Sequence, residues 1–187
     1  DLHIMRRRQS QMCIRDSVTA MHGVWRAGGI AVPLNVASAV MELEHYLSCA
    51  SVTRLIANPE SHEALAPLCQ ALDIKLLSVD EVMATTAAAL PEISEDRRAM
   101  MLFTSGTTNK PKGVVSTHKT IKAQITTLTE AWEWSKEDVI PLFLPLHHIH
   151  GIVNILSCGL WAGATVHLFA KFDIPRITEQ VASGTYN

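Results

Sequence analysis

Hydrophobic and polar positions change period repeatedly along the chain, from the spacing of an amphipathic helix to the short apolar runs of a strand and back. The helices predicted from this pattern are residues 18–28, a segment after Ser38, a segment after Asn58, a segment after Ser116 or Thr117, residues 151–161 and a segment from Ile174. The strands predicted between them are residues 30–34, 53–57, 74–79, 99–103, 139–144 and 164–169. Such alternation predicts an α/β fold with parallel sheets flanked by helices.

Residues at the ends of these segments support the assignment. Ser38, Asn58 and Thr117 (or Ser116) suit N-caps because a short polar side chain can accept a hydrogen bond from a free N–H of the first helical turn. The glycines expected to stop helices are Gly28, Gly29 and Gly163. The positions expected to face inward are Val40, Leu43, Leu47 and Ala50, then Leu65, Leu68 and Leu72, then Ile121, Ile125, Leu128 and Trp132.

Two stretches stand apart from the alternating pattern. Residues 1–17 are Arg-rich and fit neither a helical nor a strand period, and Asp1, Asp16 and the missing start methionine argue against an organelle presequence. We predict that residues 1–17 are a non-native or artefactual segment. Residues 83–98, rich in Ala and Thr and then bearing Pro and charges, are the best candidate for a linker.

Composition narrows the class of protein without identifying it. With 187 residues and 48% hydrophobic content, the chain can bury a core and is not expected to be disordered. A net charge of −2 gives no nucleic-acid footprint, and no apolar run approaches the roughly 20 residues that span a bilayer. The cysteines form no CxxC pair and are expected to be buried thiols: Cys13, Cys49, Cys69 and Cys158. Without a signal-peptide pattern, an intracellular location, cytoplasmic or mitochondrial, is expected.

The stretch Thr104–Gly113 concentrates groups that bind anions. It places four hydroxyl side chains, two lysines, two glycines and one proline in ten residues, directly after the apolar run 99–103. A strand that opens into such a loop offers backbone N–H groups, hydroxyl donors and cations at once, which is the chemistry of holding a polyphosphate. The alternative is a solvated turn, which needs only one or two of these residue types.

The loop is not a Walker loop, because Lys112-Gly113 is followed by the β-type Val114-Val115 rather than by a helix start. It closely resembles the phosphate loop of the adenylate-forming superfamily, which includes acyl-CoA synthetases, luciferases and peptide-synthetase adenylation domains. In that family the loop closes over the β- and γ-phosphates of ATP. Asn109 stands where the family usually has glycine, and asparagine tolerates positive φ better than other non-glycine residues.

A second motif agrees with the first. Leu144–Gly151, with the letters LPLHHIHG, resembles the superfamily's Pro-Leu-aromatic-His-x-x-Gly motif. His148 falls on the family histidine that lies beside the acyl carboxylate, and His147 on a position that is often aromatic. Three histidines in four residues also suggest a metal site, but no nearby Cys, Asp or Glu completes a ligand set, so we predict none. Histidines with a purely structural role are the other alternative.

A third segment, residues 23–35, resembles the family's early Leu/Trp-x-x-Gly-x-x-x-x-Pro-Leu stretch, although Gly28-Gly29 need only be a helix stop. The resemblance covers about residues 21–187, so residues 18–187 are expected to be part of the large N-terminal AMP-binding domain. The family's Gly-Tyr-Gly-x-Thr-Glu segment, its ribose-binding aspartate and its C-terminal lysine are not in the sequence. We therefore expect a fragment that lacks activity by itself.

The resemblance implies a two-step reaction that uses ATP, Mg²⁺ and coenzyme A. A carboxylate attacks the α-phosphate of ATP to give an acyl-adenylate, and a thiol then displaces AMP. The residues implied in phosphate binding are Thr104, Ser105, Gly106, Thr107, Thr108, Lys112 and Gly113. His148 is implied as the catalytic residue, and His147 and His150 as contacts to the acyl substrate. Lys110 is more simply explained as a solvent-exposed lysine.

The acyl substrate is inferred from finer resemblance. Ser116–His118, residues 131–135 and residues 144–154 together most resemble malonyl-CoA synthetases. A dicarboxylate needs a second cation, ideally an arginine, and the arginines of this chain lie outside both motifs. The selecting arginine is expected outside this sequence, so malonate is favoured by the resemblance alone. The alternatives are a medium-chain or aryl acyl-CoA synthetase, an adenylation domain that loads a carrier protein, and a non-catalytic nucleotide-binding remnant.

Overall fold

The fold is taken from a computed structural model that describes residues 2–35, 37–86, 88–104, 110–169 and 172–187, with the backbone alone for residues 2–13. The chain divides into two compact units. One comprises residues 16–116, and the other comprises residues 117–187 together with the first 15 residues. Most of the phosphate loop, Ser105 to Asn109, lies outside the described residues.

Helices and strands alternate through the described part of the chain. The α-helices are α1 (Leu2–Arg26), α2 (Val40–Cys49), α3 (Pro59–Ala71), α4 (Val79–Met83), α5 (His118–Ala131), α6 (Cys158–Ala162) and α7 (Ile174–Ala182). A π-helix, His150–Ser157, precedes α6 directly. The strands are β1 (Arg54–Ala57), β2 (Lys75–Ser78), β3 (Arg98–Thr104), β4 (Lys112–Thr117), β5 (Val139–Leu142) and β6 (Thr165–Leu168).

In the unit of residues 16–116, β1 and β2 pair in parallel, with Arg54 opposite Lys75 and Ala57 opposite Ser78. The connection between them is α3, as a parallel crossover requires. A core of Leu47, Cys69 and Ile74 joins α2 and α3 to this sheet, and the hydrophobic residues packed around it are Leu34, Val52, Leu55, Leu65, Leu68, Leu72 and Leu76. The inward positions predicted for α3 are therefore confirmed.

A second strand pair in this unit, β3 with β4, leads to and from the phosphate loop. The buried residues Ala99 and Met100 place β3 in the core. Trp25 of α1 donates an indole N–H to the carbonyl of Ala99 at 2.8 Å, in a buried position. Ala31 forms a parallel bridge to Met100, which extends the pairing of β3 by one residue.

In the unit of residues 117–187, β5 and β6 pair in parallel, with Val139 opposite Thr165 and Leu142 opposite Leu168. The π-helix and α6 form the connection between these strands. Their buried side chains, with those of α5 and β5, are Ile121, Ile125, Leu142, Ile152, Val153, Leu156 and Cys158. Both parallel pairs agree with the α/β fold that the sequence predicts.

Three of the predicted helix ends are confirmed. The Asn58 side chain accepts a hydrogen bond from the N–H of Ser61, and Pro59 occupies the start of α3. Thr117 and Thr120 form a reciprocal capping box at the start of α5. Gly163 ends α6 with φ of 78°, a left-handed conformation in which a side chain would be strained.

Several details of the sequence prediction are wrong. Ser38 does not cap α2, because Asn35 accepts from the N–H of Ala37 in a turn of its own and the helix starts after Ala39. Val40 is then the first helical residue and is 66% exposed. The strand expected at 30–34 is reduced to the bridge at Ala31, since Pro33 has no N–H to pair.

Further corrections concern the ends of other elements. Trp132 is the C-cap of α5 and is 47% exposed, with its ring stacked on that of Trp134. Cys49, expected to be buried, is exposed at the end of α2, whereas Cys69 and Cys158 are buried. The helix α4 was not predicted, although Ser78 and Glu81 form a capping box that marks its start.

The limits of the larger segments also differ from the prediction. Residues 2–17 belong to α1, because Leu, Met, Arg and Gln favour helical backbone without any amphipathic period. That these residues are non-native remains a prediction. The two compact units divide after Ser116, not within the expected linker 83–98. In the described part of the chain, no helix is long and apolar enough to cross a membrane.

Candidate functional site

The described ends of the phosphate loop carry exposed polar side chains. Thr104 is the last residue of β3, Lys112 is the first of β4, and both are exposed, as is Lys110 between them. A strand end leaves such side chains free to meet a ligand. The remaining predicted phosphate contacts, Ser105, Gly106, Thr107 and Thr108, lie outside the described residues, so their roles stay predictions.

Gly113 lets the two strands that flank the loop approach closely. A Cβ atom built on Gly113 would lie 2.7 Å from Sδ of Met101 and 3.4 Å from Cε1 of Phe103. The first contact is shorter than real Cβ atoms tolerate, so the side chains of β3 occupy the place where a Gly113 side chain would be. The glycine of the motif thus has a packing role next to Lys112.

Helix α2 contacts both ends of the loop. His45 Nε2 is 2.9 Å from the carbonyl oxygen of Pro111, so the ring N–H can donate to the residue just before β4. The Tyr46 ring lies against Phe103, near the end of β3, with ring centroids 4.5 Å apart. One helical turn thereby holds the chain where it enters the loop and where it leaves it.

The histidine motif folds as a tight turn that leads into the π-helix. The backbone N–H of His148 donates to the carbonyl of Pro145 at 3.4 Å, and that of Ile152 donates to the carbonyl of His148 at 3.1 Å. Gly151 is buried, and a Cβ atom built on it would lie 2.6 Å from the Pro145 carbonyl oxygen. The glycine of this motif is therefore required by a close backbone approach.

The two adjacent histidines of the motif differ in environment. Their ring centroids are 4.3 Å apart, with His148 exposed and His147 half-buried. Burial lowers the pKa of His147 below its ordinary value, and a positive charge on His148 lowers it further. His147 is therefore held neutral at neutral pH, while His148 remains open to solvent and to a substrate.

His150, the third histidine, is held by a pair of amide side chains. Asn154 Nδ2 lies 2.9 Å from Nδ1 of His150, and Gln124 Nε2 donates to Asn154 Oδ1 at 2.6 Å. Gln124 lies on α5 and Asn154 on the π-helix, so the hydrogen bond between them joins two elements of the same compact unit. We call these three side chains the amide–histidine chain.

The structure groups the predicted residues within each unit. Thr104, Lys112 and Gly113 lie together at the ends of β3 and β4 in the unit of residues 16–116. His147, His148 and His150 lie within one turn of the unit of residues 117–187. Across the residues with described side chains, no group of three or more His, Cys, Asp or Glu is placed to hold a metal ion.

Sequence reasoning missed the residues that support these side chains. The contacts His45–Pro111, Tyr46–Phe103 and Gln124–Asn154 join residues that are 66, 57 and 30 positions apart in the sequence. No local sequence pattern predicts such pairs. Asn154 could have been found, because it follows His150 at the i, i+4 spacing of neighbours on a helix.

A model of the AMP-binding enzyme family matches residues 14–183. The match includes both motifs and nearly all of the described elements, so the chain belongs to the AMP-binding enzyme family. The resemblance to adenylate-forming enzymes that the sequence motifs indicate is thereby confirmed.

The chain is also similar to individual proteins of this family. The bovine protein malonate–CoA ligase ACSF3, mitochondrial (Bos taurus), is 40% identical over 185 residues that cover 94% of this chain and 32% of the relative. The human protein of the same name is 38% identical over the same shares of the two chains. The chain thus spans about a third of the length of the curated relatives it matches.

Solved structures show the same architecture. ATP-bound MatB from Rhodopseudomonas palustris is 26% identical with a TM-score of 0.79, and the match covers 89% of this chain and 35% of that one. A malonyl-CoA ligase ternary product complex with methylmalonyl-CoA and AMP bound is 32% identical with a TM-score of 0.76, covering 90% and 36%. The predicted α/β fold of an adenylate-forming N-terminal domain is confirmed.

Proposed function

We propose that the full-length protein containing this chain is an AMP-forming acid–thiol ligase. It activates a carboxylic acid with ATP as an acyl-adenylate and then transfers the acyl group to coenzyme A. The observation that carries the proposal is the family match over residues 14–183, joined to 40% identity with a malonate–CoA ligase across 94% of the chain. We propose that this chain, which spans about a third of the length of those relatives, is inactive by itself.

In the first step, a carboxylate oxygen forms a bond to the α-phosphorus of ATP. The bond from that phosphorus to the oxygen that bridges the α- and β-phosphates breaks. Pyrophosphate leaves with the electron pair, so negative charge collects on its oxygens. The ammonium of Lys112 and the hydroxyl of Thr104, both exposed at the ends of the loop, are suited to stabilise this charge. Ser105, Gly106, Thr107 and Thr108 would contribute hydroxyl and backbone donors.

The histidine motif is proposed to bind the acid. His148, exposed at the turn, would lie beside the reacting carboxylate, where an imidazole N–H can donate to it. In the second step the sulfur of coenzyme A bonds to the acyl carbon, AMP leaves with the electron pair, and the thiol proton is lost to solvent or a base. The neutral His147 would contact the acyl group without adding charge.

Mg²⁺ is expected with ATP because divalent ions neutralise phosphate oxygens. The described side chains offer no group of three ligands for it. No step of the proposed reaction on this chain is assigned to the metal.

Malonate is the proposed acid. The support is the printed function of the bovine and human relatives, together with the resemblance of the motif around His147 to His150. The cation for the second carboxylate would come from outside the two motifs. A mitochondrial location is proposed from the names of the same relatives and is tested by fractionation of cells that express the full-length protein.

Replacement of Lys112 by alanine tests the role of the phosphate loop. We expect ATP–pyrophosphate exchange by the full-length protein to fall about 10- to 100-fold, since a hydrogen bond to a charged group contributes about 1.5–3 kcal/mol. Thioester formation from a preformed acyl-adenylate is expected to stay unchanged, because pyrophosphate has already left.

Lys136→Ala is the matched control. Lys136 is an exposed lysine whose partner, Glu137, is 3.7 Å away at the surface, and such pairs contribute little. Unchanged exchange in a folded Lys112→Ala protein, or an equal loss in Lys136→Ala, would refute the assignment of Lys112 to the phosphates.

A further inference from the structure

The amide–histidine chain gives an exposed ring an unusual amount of support. Asn154 contacts the His150 ring at 2.9 Å and itself accepts a hydrogen bond from Gln124 at 2.6 Å, and all three side chains are described. Asn154 and Gln124 are half-buried, whereas His150 is exposed. An exposed side chain ordinarily keeps its rotamer freedom, and ordering it costs free energy. One amide bonded to a solvent-facing imidazole, and a second amide bonded to the first, therefore point to a role for the orientation of that ring.

The local backbone points in the same direction. His150 begins a π-helix, a conformation that is rare and is frequent at functional sites. Ile152, Val153 and Leu156 of that helix are buried in the core, whereas Asn154 is half-buried and His150 is exposed. The π-helix thus carries both apolar core residues and two members of the amide–histidine chain.

The direction of the hydrogen bonds selects one form of the imidazole. Gln124 donates to the carbonyl oxygen of Asn154, which leaves the Asn154 amide nitrogen facing Nδ1 of His150. An amide nitrogen can only donate, so Nδ1 must accept and carries no proton. The proton of the neutral ring is then on Nε2, which becomes a donor for a ligand.

We propose that Gln124 and Asn154 are positioning residues that present the Nε2–H of His150 to the second carboxylate of a dicarboxylic acid. The inference rests on the proposed function, in which His148 serves the reacting carboxylate. An N–H donor fixed in place favours a carboxylate over a methyl group, because a carboxylate accepts a charge-assisted hydrogen bond from it and a methyl group cannot. The amide–histidine chain would thereby select malonate over an acid that ends in a methyl group.

The first test is spectroscopic and does not depend on turnover. In full-length protein labelled with ¹⁵N-histidine, the signals lost in His150→Gln assign the ring, and two-bond ¹H–¹⁵N correlations identify its tautomer. We expect the proton on Nε2. In Asn154→Asp, a replacement of the same shape, the carboxylate can only accept, so a proton should move to Nδ1. A proton on Nδ1 in the unmodified protein would overturn the proposal.

The second test is kinetic. Asn154→Ala and Gln124→Ala should each raise the KM for malonate about 3- to 10-fold, the effect of losing one neutral hydrogen bond, with kcat and the KM for ATP unchanged. For propionate, which lacks the second carboxylate, the KM, or the inhibition constant if it is not turned over, should not change. Thr127→Ala, at an exposed position of α5, is the control and should leave every constant unchanged.

The outcomes separate the two proposals. An equal rise for malonate and propionate, or no rise in a folded variant, would refute the role of the amide–histidine chain in selecting a second carboxylate. Absence of exchange with any acid would instead refute the proposed function. The tautomer measurement still decides whether Asn154 fixes the ring in that case.

Discussion

At the scale of single residues, Gly151 shows how a close backbone contact constrains the histidine motif. Any side chain here would meet the Pro145 carbonyl at 2.6 Å, and that same carbonyl accepts the hydrogen bond from His148. A backbone oxygen cannot swing aside as the end of a flexible side chain can. Replacement of Gly151 therefore has to move the turn that carries His148.

We predict that Gly151→Ala destabilises the full-length protein by about 1–3 kcal/mol, the usual cost of overpacking a core. It should also lower acid-dependent adenylation, because the turn shifts. Gly23→Ala is a suitable control: it lies within α1, nothing lies within 4 Å of its Cβ position, and alanine favours helix by about 0.5–1 kcal/mol. Urea denaturation measures both variants, and equal midpoints for the two would contradict the close-approach argument.

The burial of His22 predicts how the stability of the protein depends on pH. Its Nε2 is buried with no hydrogen-bond partner among the described residues, and its ring meets that of Trp25 edge-on at 5.1 Å. Burial lowers the pKa of His22 below the ordinary 6.5. His22 therefore binds a proton more readily in the unfolded chain than in the folded protein. Its contribution to the free energy of unfolding is fully present above about pH 6.5 and decreases as the pH falls below that value.

Replacement of His22 by phenylalanine keeps an aromatic edge against Trp25 and removes the titration. We expect the melting temperature of the full-length protein to fall less between pH 7 and pH 5 in His22→Phe than in the unmodified protein. Differential scanning fluorimetry at the two pH values measures this difference. An equal fall in both proteins would show that His22 does not contribute to acid sensitivity.

At the scale of elements, α2 acts on the phosphate loop from a distance in sequence. His45 and Tyr46 contact Pro111 and Phe103, the two sides of the loop. We predict that His45→Ala raises the KM for ATP in adenylation about 3- to 10-fold, the effect of one lost hydrogen bond, and leaves thioester formation from a preformed acyl-adenylate unchanged.

Two further variants sharpen this experiment. His45→Gln can still donate through its amide and should recover part of the loss, whereas Ser48→Ala, exposed on the same helix, should have no effect. A similar decrease in both half-reactions of His45→Ala would mean that the helix supports the whole fold rather than the loop.

The sequence predicts most of these elements because their signals are local. Asn58-Pro59 and Thr117 fix the starts of α3 and α5 through hydrogen bonds within one turn, and Gly163 ends α6 through its own backbone angle. The prediction errors arise where contacts beyond the local pattern determine the structure. Asn35 forms a turn that displaces the start of α2, and an apolar run with a helical period folds as a π-helix.

The candidate residues of the two motifs were likewise found from local signals in the sequence. The motif residues Lys112 and His148 are recognised by their order along the chain. His45, which contacts Pro111, and Gln124, which contacts Asn154, become visible only when distant segments are brought together. Local chemistry therefore names candidate residues for substrate binding, and tertiary packing determines which residues contact the segments that carry them.

At the scale of the whole molecule, the chain covers only part of the length of its relatives in the AMP-binding enzyme family. It spans about a third of the curated relatives it matches, and it supplies the phosphate-loop and histidine motifs in two separate compact units. The proposed reaction needs groups for the adenine and the ribose, and a cation for the second carboxylate, that neither motif provides. The central claim must therefore be tested on the full-length protein.

The most direct test is ATP–pyrophosphate exchange by the full-length protein with malonate, acetate, octanoate and benzoate compared. The account predicts exchange that depends on malonate and exceeds that with the other acids, followed by release of AMP when coenzyme A is added. Exchange with a different acid would keep the adenylation chemistry and contradict the choice of malonate. No exchange with any acid, from a protein shown to be folded, would contradict the account as a whole.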